Sequence, residues 1–565
     1  MTIRSILLAT AAVAGSAVPA FAAPQHHRAH PHAAPSATKA EIDELRSEIA
    51  DLRQRLSEQT ATQSQVQAQV ATAQAQAATT ETEVAAISAK QGSDTGTSQL
   101  AAAQDELRRR VEKDEHPDHI GYKGIQLTPG GFVELAGVYR DHNQESDIAT
   151  GFNAIPFANS RLGHTSETRF TARQSRVSLL AEGNASKTVR LSMYGEFDFQ
   201  GAAQTANSNE SNSYNPRIRN LYGTIDWALA GGSDLHLLAG QNWSLVTMNA
   251  KGISPRNEVL PLGIDAQYVP GFAWTRTPQV RVTGDFMDKH LWLALSAENP
   301  QTTFYTTGTP AGTTAGSVGT AASLPGTLVY NGTGASGFNS ANSLSINHIP
   351  DIVAKAAYET KIGKRTLHVE GFGLYREFSD RVTGGNYNTS GFSGGGSIAM
   401  QIVPGAIDAQ FSGMAGKGIG RYGSSQLPDV TFRPDGSIAP LDEYMLLAGI
   451  ITHPTKKLDV FGFAGEEVTS QRSYTTAAGL AYGYGNPLYT NTGCLTEGSS
   501  VCNGNTRSIR QVEVGFWQRL YQGSWGRAQV GAQYSHTSRH TFAGVGGAPE
   551  AEQDIGFLSF RYYPF

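Results

Sequence analysis

The chain has 565 residues, 62 of them glycine, with 39% hydrophobic residues, a mean hydropathy of -0.30 and a formal net charge of -5. Beyond the first two dozen positions no apolar run is long enough for a membrane helix, which excludes a helical membrane protein. The glycine content and the long Ser-, Thr- and Asn-rich stretches are unlike a large soluble enzyme with a continuous core. Strands that alternate between lipid-facing and water-facing side chains produce such a mildly hydrophilic average.

The first 22 residues have the pattern of a secretory signal peptide. Arg4 is followed by an apolar stretch from Ile6 to Val18 and then by Ala20-Phe21-Ala22. A charged start, an apolar middle and a small-residue exit predict cleavage before Ala23 and export.

Residues 23–39 form a His-, Pro- and Ala-rich segment. Its histidines are His26, His27, His30 and His32. Imidazoles bind transition metals, but no carboxylate or cysteine lies nearby and Pro31 interrupts helical spacing. The segment is interpreted as a solvated linker, and neither a metal nor a cofactor is predicted for the chain.

Residues 40–91 carry a heptad pattern. Successive a and d positions hold Ile42, Leu45, Ile49, Leu52 and Leu56. This spacing predicts a periplasmic α-helical coiled coil. A helix this polar gains little alone, so partner helices are expected, supplied most simply by identical chains. Residues 92–120 are predicted to be a linker with a short helix. A tether between the outer membrane and the periplasm is a second possible role.

From residue 121 to 565 the period changes to two. Val189, Leu191 and Met193 alternate with polar residues, so that one face suits lipid and the other suits water. Alternating segments occur near 132–142, 168–181, 186–199, 218–230, 233–240, 273–283, 289–297, 352–360, 364–378, 391–402, 406–413, 443–451, 457–466, 510–519, 528–537 and 553–563. The predicted fold is an all-β transmembrane barrel of about 16 antiparallel strands in the outer membrane of a Gram-negative bacterium, behind the N-terminal coiled coil.

The connections between these segments alternate in length. Short Gly-containing turns such as Gly231-Gly232 alternate with long connections such as 241–272, 298–351 and 467–509, and every odd-to-even connection that can be placed is expected to be long. Short periplasmic turns and long external loops are typical of bacterial barrels. A soluble sandwich or propeller offers no reason for this alternation.

The two cysteines, Cys494 and Cys502, lie inside one polar, loop-like segment. Exported thiols tend to be oxidised, so a loop disulfide is expected.

The last strand is rich in aromatic residues and ends at Phe565. A terminal phenylalanine on a final strand resembles the signal that the barrel-assembly machinery recognises. Leu558 and Phe560 share a parity that Phe565 does not, so a bulge or an end-twist at Tyr563-Pro564 is expected.

Seven segments together resemble the DcaP-like trimeric outer-membrane porins. They are Ala172-Arg-Gln-Ser-Arg176, Ala239-Gly-Gln-Asn-Trp243, Arg276-Thr-Pro-Gln-Val-Arg281, Ser296-Ala-Glu-Asn-Pro300, Pro350-Asp-Ile-Val353, Gly418-Ile-Gly-Arg-Tyr422 and Arg561-Tyr-Tyr-Pro-Phe565. The resemblance implies a homotrimer of sixteen-stranded barrels through which small anionic solutes, such as dicarboxylates, diffuse.

The parity of apolar neighbours predicts which charges face the lumen. Six cations point inward by this test: Arg176, Arg190, Arg281, Lys355, Arg376 and Arg519. Cations in a narrow channel favour carboxylates. Glu196 and Asp198 also point inward, so the alternative that carboxylates neutralise these cations as structural pairs stays open.

The connection 241–272 occupies the position at which trimeric porins fold a loop into the lumen. It contains Lys251, Arg256, Glu258 and Asp265, which are the candidate constriction residues. A loop that merely caps the mouth is an equal alternative.

The expected function is passive diffusion of small anionic solutes, with the homotrimer itself, outer-membrane lipid, the assembly machinery and the solutes as partners, and no nucleic acid. A general or cation-tolerant porin and an envelope adhesin are the alternatives. Ser535 and His536 lack a placeable third group for a catalytic triad, so no enzyme and no catalytic residue are expected.

Overall fold

The computed structural model describes residues 120–201, 215–229, 231–305, 328–333 and 343–565. The signal peptide, the His-rich linker, the coiled coil and the linker helix predicted before residue 120 lie outside these ranges. Within them, no helix has both the length and the apolar character needed to cross a membrane.

Sixteen antiparallel strands form a closed barrel. They are β1 (Ile125–Arg140), β2 (Glu167–Thr171 and Arg176–Asn184), β3 (Val189–Gly201), β4 (Asn215–Ala228), β5 (Asp234–Trp243), β6 (Arg276–Phe286), β7 (Leu291–Glu298), β8 (Asp351–Ile362), β9 (Arg365–Val382), β10 (Gly385–Val403), β11 (Ile407–Lys417), β12 (Asp442–Thr455), β13 (Leu458–Thr469), β14 (Thr506–Gly523), β15 (Gly526–Thr541) and β16 (Glu550–Tyr563). Each strand pairs with the next, and β16 pairs with β1, which closes the barrel. The predicted barrel and its strand number are confirmed.

Alternate side chains of each strand point outward. On β3, Leu191 and Met193 are exposed on the outer wall, whereas Asp198 is fully buried on the inner side. The pleat of a strand sends successive side chains to opposite faces, so an alternating sequence makes an apolar exterior and a polar interior. An apolar exterior is what a hydrocarbon layer requires.

Short turns join the strands at one end of the barrel, which we call the short-turn end, and longer loops join them at the long-loop end. The turn after β12 lies at 456–457, beyond an irregular register between Thr452 and Thr455. The long loops contain short 3-10 turns and short β-hairpins. They are the 3-10 turns Phe152–Ala154, Leu162–His164 and Gly420–Tyr422, and the hairpins Asn331–Thr333 with Ser343–Ser345, Val430–Phe432 with Ile438–Pro440, and Arg472–Thr475 with Ala481–Tyr484. A further short strand, Ile120–Tyr122, pairs with the start of β1.

One long-loop connection is short, and the expectation that all are long was wrong there. β9 and β10 stay paired as far as Val382 and Gly385, so that a tight turn at Thr383-Gly384 joins them. Gly384 has a φ of 95°, a left-handed conformation that glycine adopts without strain. The Gly384-Gly385 pair is a hairpin signal within residues 379–390, which lie between the alternating segments 364–378 and 391–402 and were expected to form a loop.

The final strand ends at Tyr563 with a regular register to β15. The expected bulge at Tyr563-Pro564 was therefore wrong, and the alternative of an end-twist stays a prediction. Phe565 is exposed beyond the strand, where the alternation of the strand no longer applies.

The connection between β5 and β6, residues 244–275, folds into the barrel, and we call it the inner loop. Ile264, Val269 and Phe272 pack against aromatic side chains of the inner wall such as Phe463 and Trp517. A second apolar cluster joins its residues Leu245, Val246 and Ile253 to Trp292, Val353, Leu374 and Met445 on the opposite wall. The inner loop thus packs against inward-facing side chains of several strands of the barrel wall.

Candidate functional site: the arginine-lined lumen

Side chains of the barrel wall hold the backbone of the inner loop. The Asn249 amide donates to Glu370 Oε2 at 3.3 Å, and the Gly271 amide donates to Glu467 Oε1 at 2.8 Å. Lys355 Nζ donates to the carbonyl oxygen of Thr247 at 2.8 Å. Buried backbone groups need such partners, so these polar contacts fix the position of the loop.

Five arginines line the lumen between the inner loop and the wall formed by β2, β3 and β4. We call them the arginine track: Arg176, Arg190, Arg217, Arg219 and Arg256. The carboxylates that face them within 4 Å in the described chain are Glu182, Glu196 and Asp198. The track therefore holds more cations than anions.

The ion pairs of the track vary in closeness. Arg217 and Arg219 bind Asp198 at 2.7 and 2.9 Å, and Arg219 also contacts Glu196. Arg176 lies 3.6 Å from Glu196. Arg256, from the inner loop, lies 4.0 Å from Glu182 and stacks over the ring of Tyr194.

Some arginines of the track are clearly more exposed than the carboxylates they face, whereas Arg219 is only 2% exposed against 14% for Glu196. The side chain of Arg190 is 52% exposed against 17% for Glu182, and that of Arg217 is 38% exposed against 0% for Asp198. At Arg190 and Arg217 the guanidinium groups are therefore more accessible from the lumen than the carboxylates are, which favours a positive local potential.

Arg276, at the start of β6, adds a further cation. Its guanidinium stacks between the rings of Trp243 and Trp274, with 5.1 and 5.2 Å to their centroids. In the described part of the chain no carboxylate lies within 4 Å of it, and Arg217 and Arg219 repel it electrostatically. Asp198 attracts it from beyond 4 Å, so Arg276 is a cation beside the track that has no close carboxylate partner.

Sequence reasoning did not select Arg217, Arg219 or Arg276 as site residues. Arg217 and Arg219 flank Ile218, which is exposed on the outer wall, so the parity test would have placed both inside. Arg276 precedes the clean alternation of β6, and only the fold brings it to the track.

The other predicted pore cations are mostly engaged in pairs. Lys355 lies 2.7 Å from Glu370, with both side chains fully buried. Arg376 binds Asp351 at 3.2 Å and Asp429 at 3.0 Å, and Arg519 binds Asp459. For these cations the structure favours the structural-pair alternative.

Arg281 is buried without a carboxylate within 4 Å in the described chain. Its Nη2 donates to the carbonyl oxygen of Trp243 at 2.6 Å and to Gln279 Oε1 at 2.8 Å. These neutral acceptors leave its charge uncancelled at close range, although its burial keeps it from direct contact with a solute.

The predicted constriction residues fall in three different surroundings on the inner loop. Arg256 belongs to the track. Lys251 is exposed and lines a cavity of about 570 Å³ at the short-turn end, together with Glu359 and Lys361. Asp265 accepts backbone hydrogen bonds from Thr150 at 3.1 Å and Gln267 at 2.8 Å.

Burial acts on the two carboxyl groups of the inner loop. It raises the pKa of Asp265, against the opposing effect of the hydrogen bonds that Asp265 accepts. Burial likewise raises the pKa of Glu258, whose Oε1 has no hydrogen-bond partner among the described residues. For both groups, burial thus disfavours the charged form.

Cys494 and Cys502 are bonded to each other within the connection between β13 and β14. The bond closes a small ring in an outer loop and lies far along the chain from the arginine track.

Several of the quoted motifs meet in space. Asp351, from Pro350–Val353, accepts hydrogen bonds from Arg421 and from the hydroxyl of Tyr422, both in Gly418–Tyr422. Arg561, from the terminal motif, donates to Gln174 at 3.1 Å in Ala172–Arg176. Residues of different motifs are therefore hydrogen-bonded to one another although they lie far apart in the sequence.

Ser535 and His536 do not form a catalytic pair. They are consecutive on β15 and point to opposite faces of the barrel. Asp554 accepts from His536 at 2.8 Å, so an orienting carboxylate exists, but on the face away from Ser535.

No model of a known protein family matches the sequence. No curated protein sequence matches it either.

Solved structures do resemble the barrel. The outer membrane channel DcaP of Acinetobacter baumannii aligns with a TM-score of 0.54 and 15% identity over 79% of this chain and 99% of its own. OmpF of Salmonella typhi in complex with daunomycin has a TM-score of 0.41 with 10% identity over 79% and 99%. An anion-selective porin from Comamonas acidovorans has 0.39 with 12% identity over 78% and 99%. At this identity the likeness to DcaP shows the fold alone, and the DcaP-like fold expected from the motifs is confirmed.

Proposed function

We propose that this protein is an outer-membrane porin through which small anionic, dicarboxylate-like solutes diffuse passively. The observation that carries the proposal is the arginine track with Arg276: the six guanidinium groups have only three carboxylates among them, and Arg190, Arg217 and Arg256 are more exposed than the carboxylates they face. A low-dielectric wall focuses this positive potential into the water-filled passage, which raises the local concentration of anions.

The track suits carboxylates in particular. Guanidinium groups bind carboxylates through paired N–H donors, and a solute carboxylate can replace Glu182 or Glu196 as the acceptor of an exposed arginine. Arg190, Arg256 and Arg176 follow one another along the passage, so a solute can move from one to the next. Weak, repeated binding of this kind permits flux, because no single site holds the solute.

The proposal includes the rest of the predicted organisation. Residues 1–22 act as the signal peptide, 23–39 as a linker, 40–91 as a periplasmic coiled coil, 92–120 as a second linker and 121–565 as the barrel. The chain assembles as a homotrimer in the lipid of a Gram-negative outer membrane, and its last strand is presented to the barrel-assembly machinery. The coiled coil as a tether is the second role for that segment.

A general or cation-tolerant porin is the alternative that one observation favours. The Lys355–Glu370 pair and the Arg376 pairs with Asp351 and Asp429 leave that part of the lumen close to neutral. A passage on that side of the inner loop would not distinguish anions from cations.

Reversal potentials in planar bilayers under a salt gradient test the proposal. The wild type is expected to favour chloride over potassium. A unit charge about 8 Å from an ion in water is worth about 0.5 kcal/mol, so the loss of two such charges disfavours chloride and favours potassium by about 1 kcal/mol each. The double variant Arg217→Gln, Arg256→Gln should therefore lower the chloride-to-potassium permeability ratio roughly thirtyfold. Asp198 keeps Arg219 in this variant, which protects the fold.

The matched control is Arg510→Gln. Arg510 is exposed on the outer wall beside Glu466, so the loss of its charge should leave the reversal potential unchanged. A wild-type channel that favours potassium, or a double variant that behaves like the control, would contradict anion selectivity.

A further inference from the structure

A separate polar cavity of about 210 Å³ opens at the long-loop end, away from the arginine track. It lies between the loops after β1, β7, β11 and β13 and the end of β15. Its lining includes Asn153, Tyr305, Gln426, Asn503 and Arg539. We call it the mouth cavity. Every solute that enters from this end passes the loops that form it.

The charge of the mouth cavity is one-sided. Arg539 is the only ionisable basic group among its described lining residues, and none of those residues is an aspartate or glutamate. A neighbouring cavity of about 430 Å³ shares Asn153 and Gln426 with it, and its described lining is uncharged. The mouth cavity thus offers one cation with no anion beside it.

Arg539 is fixed in place but not saturated. Its Nε donates to Thr506 Oγ1 at 2.8 Å, its Nη1 to the carbonyl oxygen of Ile155 at 2.7 Å, and its Nη2 to that of Gly504 at 3.3 Å. Phe157 stacks on the guanidinium at 4.3 Å. Five N–H groups belong to a guanidinium, so each Nη keeps one donor for a ligand, and all the acceptors used so far are neutral.

Amide groups supply further donors. The Asn153 side chain accepts from Thr506 at 2.6 Å through Oδ1, and that of Asn503 accepts from Tyr305 at 2.9 Å through Oδ1. Among the described residues, no hydrogen bond uses the Nδ2 group of Asn153 or of Asn503, or the side-chain amide of Gln426, and all three residues line the cavity. An acceptor-rich solute would satisfy these donors.

The wall of the cavity is rigid before any ligand arrives. Asn505 donates to the hydroxyl of Tyr305 at 2.7 Å and to Asn503 at 2.9 Å, and the rings of Tyr305 and Tyr484 meet edge to face at 4.7 Å. Asn503 follows the disulfide-bonded Cys502 directly. Preorganised donors lose little entropy on binding, which favours a specific contact.

We propose that the mouth cavity binds a small dicarboxylate, with one carboxylate on Arg539 and the other on the side-chain amides of Asn153 and Asn503. Its volume is below that of sites for drug-sized ligands, which measure roughly 300 Å³ or more, so a solute of a few carbon atoms fits. A role of this site in uptake rests on the proposed function, because a solute bound in the mouth cavity reaches the arginine track only if the pore conducts anions.

Succinate is the probe, and its neutral diamide, succinamide, is the uncharged comparison. Added to the long-loop side of single channels of the full-length protein, succinate should interrupt the ion current in a concentration-dependent way, whereas succinamide should not. Arg539→Gln should raise the half-blocking succinate concentration tenfold or more, since a charge-assisted hydrogen bond is lost.

Asn503→Asp provides a second variant. It keeps the acceptor that Tyr305 and Asn505 use, and it places a negative charge in the cavity, so it should weaken the succinate block to a similar degree. Arg507→Gln is the control, because Arg507 is exposed on the adjacent strand and does not line the cavity.

Equal succinate block in the wild type, Arg539→Gln and Asn503→Asp would overturn the proposal, as would equal block by succinamide. If Arg539→Gln does not assemble, Asn503→Asp decides alone. A cation-selective wild type whose succinate block still depends on Arg539 would overturn the proposed function and support the mouth cavity. An anion-selective wild type whose succinate block does not depend on Arg539 would support the proposed function and overturn the mouth cavity as a binding site.

Discussion

Lys355 and Glu370 form an ion pair that is cut off from water inside the barrel. Glu370 also accepts from Ser397 at 2.8 Å and from the backbone of the inner loop, while Lys355 donates to Asn249 at 2.9 Å. Removing one partner of such a pair destabilises the folded protein, because the remaining buried charge has neither water nor an opposite charge to stabilise it.

Replacement of Lys355 by methionine should therefore destabilise the barrel by about 3–5 kcal/mol. Arg190→Gln breaks a solvent-exposed pair and should cost about 1 kcal/mol or less. Unfolding of both variants by urea in lipid, followed by tryptophan fluorescence, measures the two costs. The double variant Lys355→Met, Glu370→Leu should recover part of the loss, and equal costs for the two single variants would contradict the burial of the pair.

The inner loop is the element on which we expect selectivity to depend, since it lies inside the barrel and contributes Arg256 to the arginine track. Gly271 allows it to approach the wall closely: its φ is 91°, and a Cβ there would lie 1.9 Å from the carbonyl oxygen of Leu446. Only a residue without a side chain fits this approach.

Gly271→Ala should displace the inner loop, raise single-channel conductance and weaken ion selectivity. Gly231→Ala is the matched control, because Gly231 has a similar φ of 82° in a short turn with nothing within 4 Å of the added Cβ. In both variants an alanine must adopt a left-handed backbone conformation, which costs about 1–2 kcal/mol. Only in Gly271→Ala does the added Cβ also clash with the backbone of the wall. Unchanged conductance in Gly271→Ala would show that the loop does not limit the passage.

At the scale of the whole molecule, the described contacts that hold the inner loop and the track lie within the barrel. Deletion of residues 40–91 from the exported chain should therefore leave the conductance of a single barrel unchanged. The deletion should make the proposed trimer dissociate at lower detergent concentration, because the coiled coil that we propose for these residues would add an interface between chains. Mass photometry combined with bilayer recordings separates the two effects. A deletion variant with wild-type trimer stability would remove the oligomeric role of the heptads.

The barrel was predictable from the sequence because its cause is local. Residues such as Leu191 and Met193 must face lipid while their neighbours face water, and a strand expresses that requirement with a period of two that can be read directly. The same rule placed Arg176 and Arg190 in the lumen. The tight turn at Thr383-Gly384 was missed because a hairpin signal inside a polar segment looks like a loop.

The balance of charge in the lumen was decided only by the tertiary structure. Parity shows that Arg190, Lys355 and Arg376 point inward, but not that Lys355 and Arg376 are buried in pairs while Arg190 stays exposed. Pairing depends on distances between strands far apart in the chain and on where the inner loop excludes water. The position of Arg276 beside the track likewise depends on tertiary contacts, since its guanidinium stacks between Trp243 and Trp274. The sequence determined a barrel with charges inside it, and the packing of one loop decided which of those charges a solute can meet.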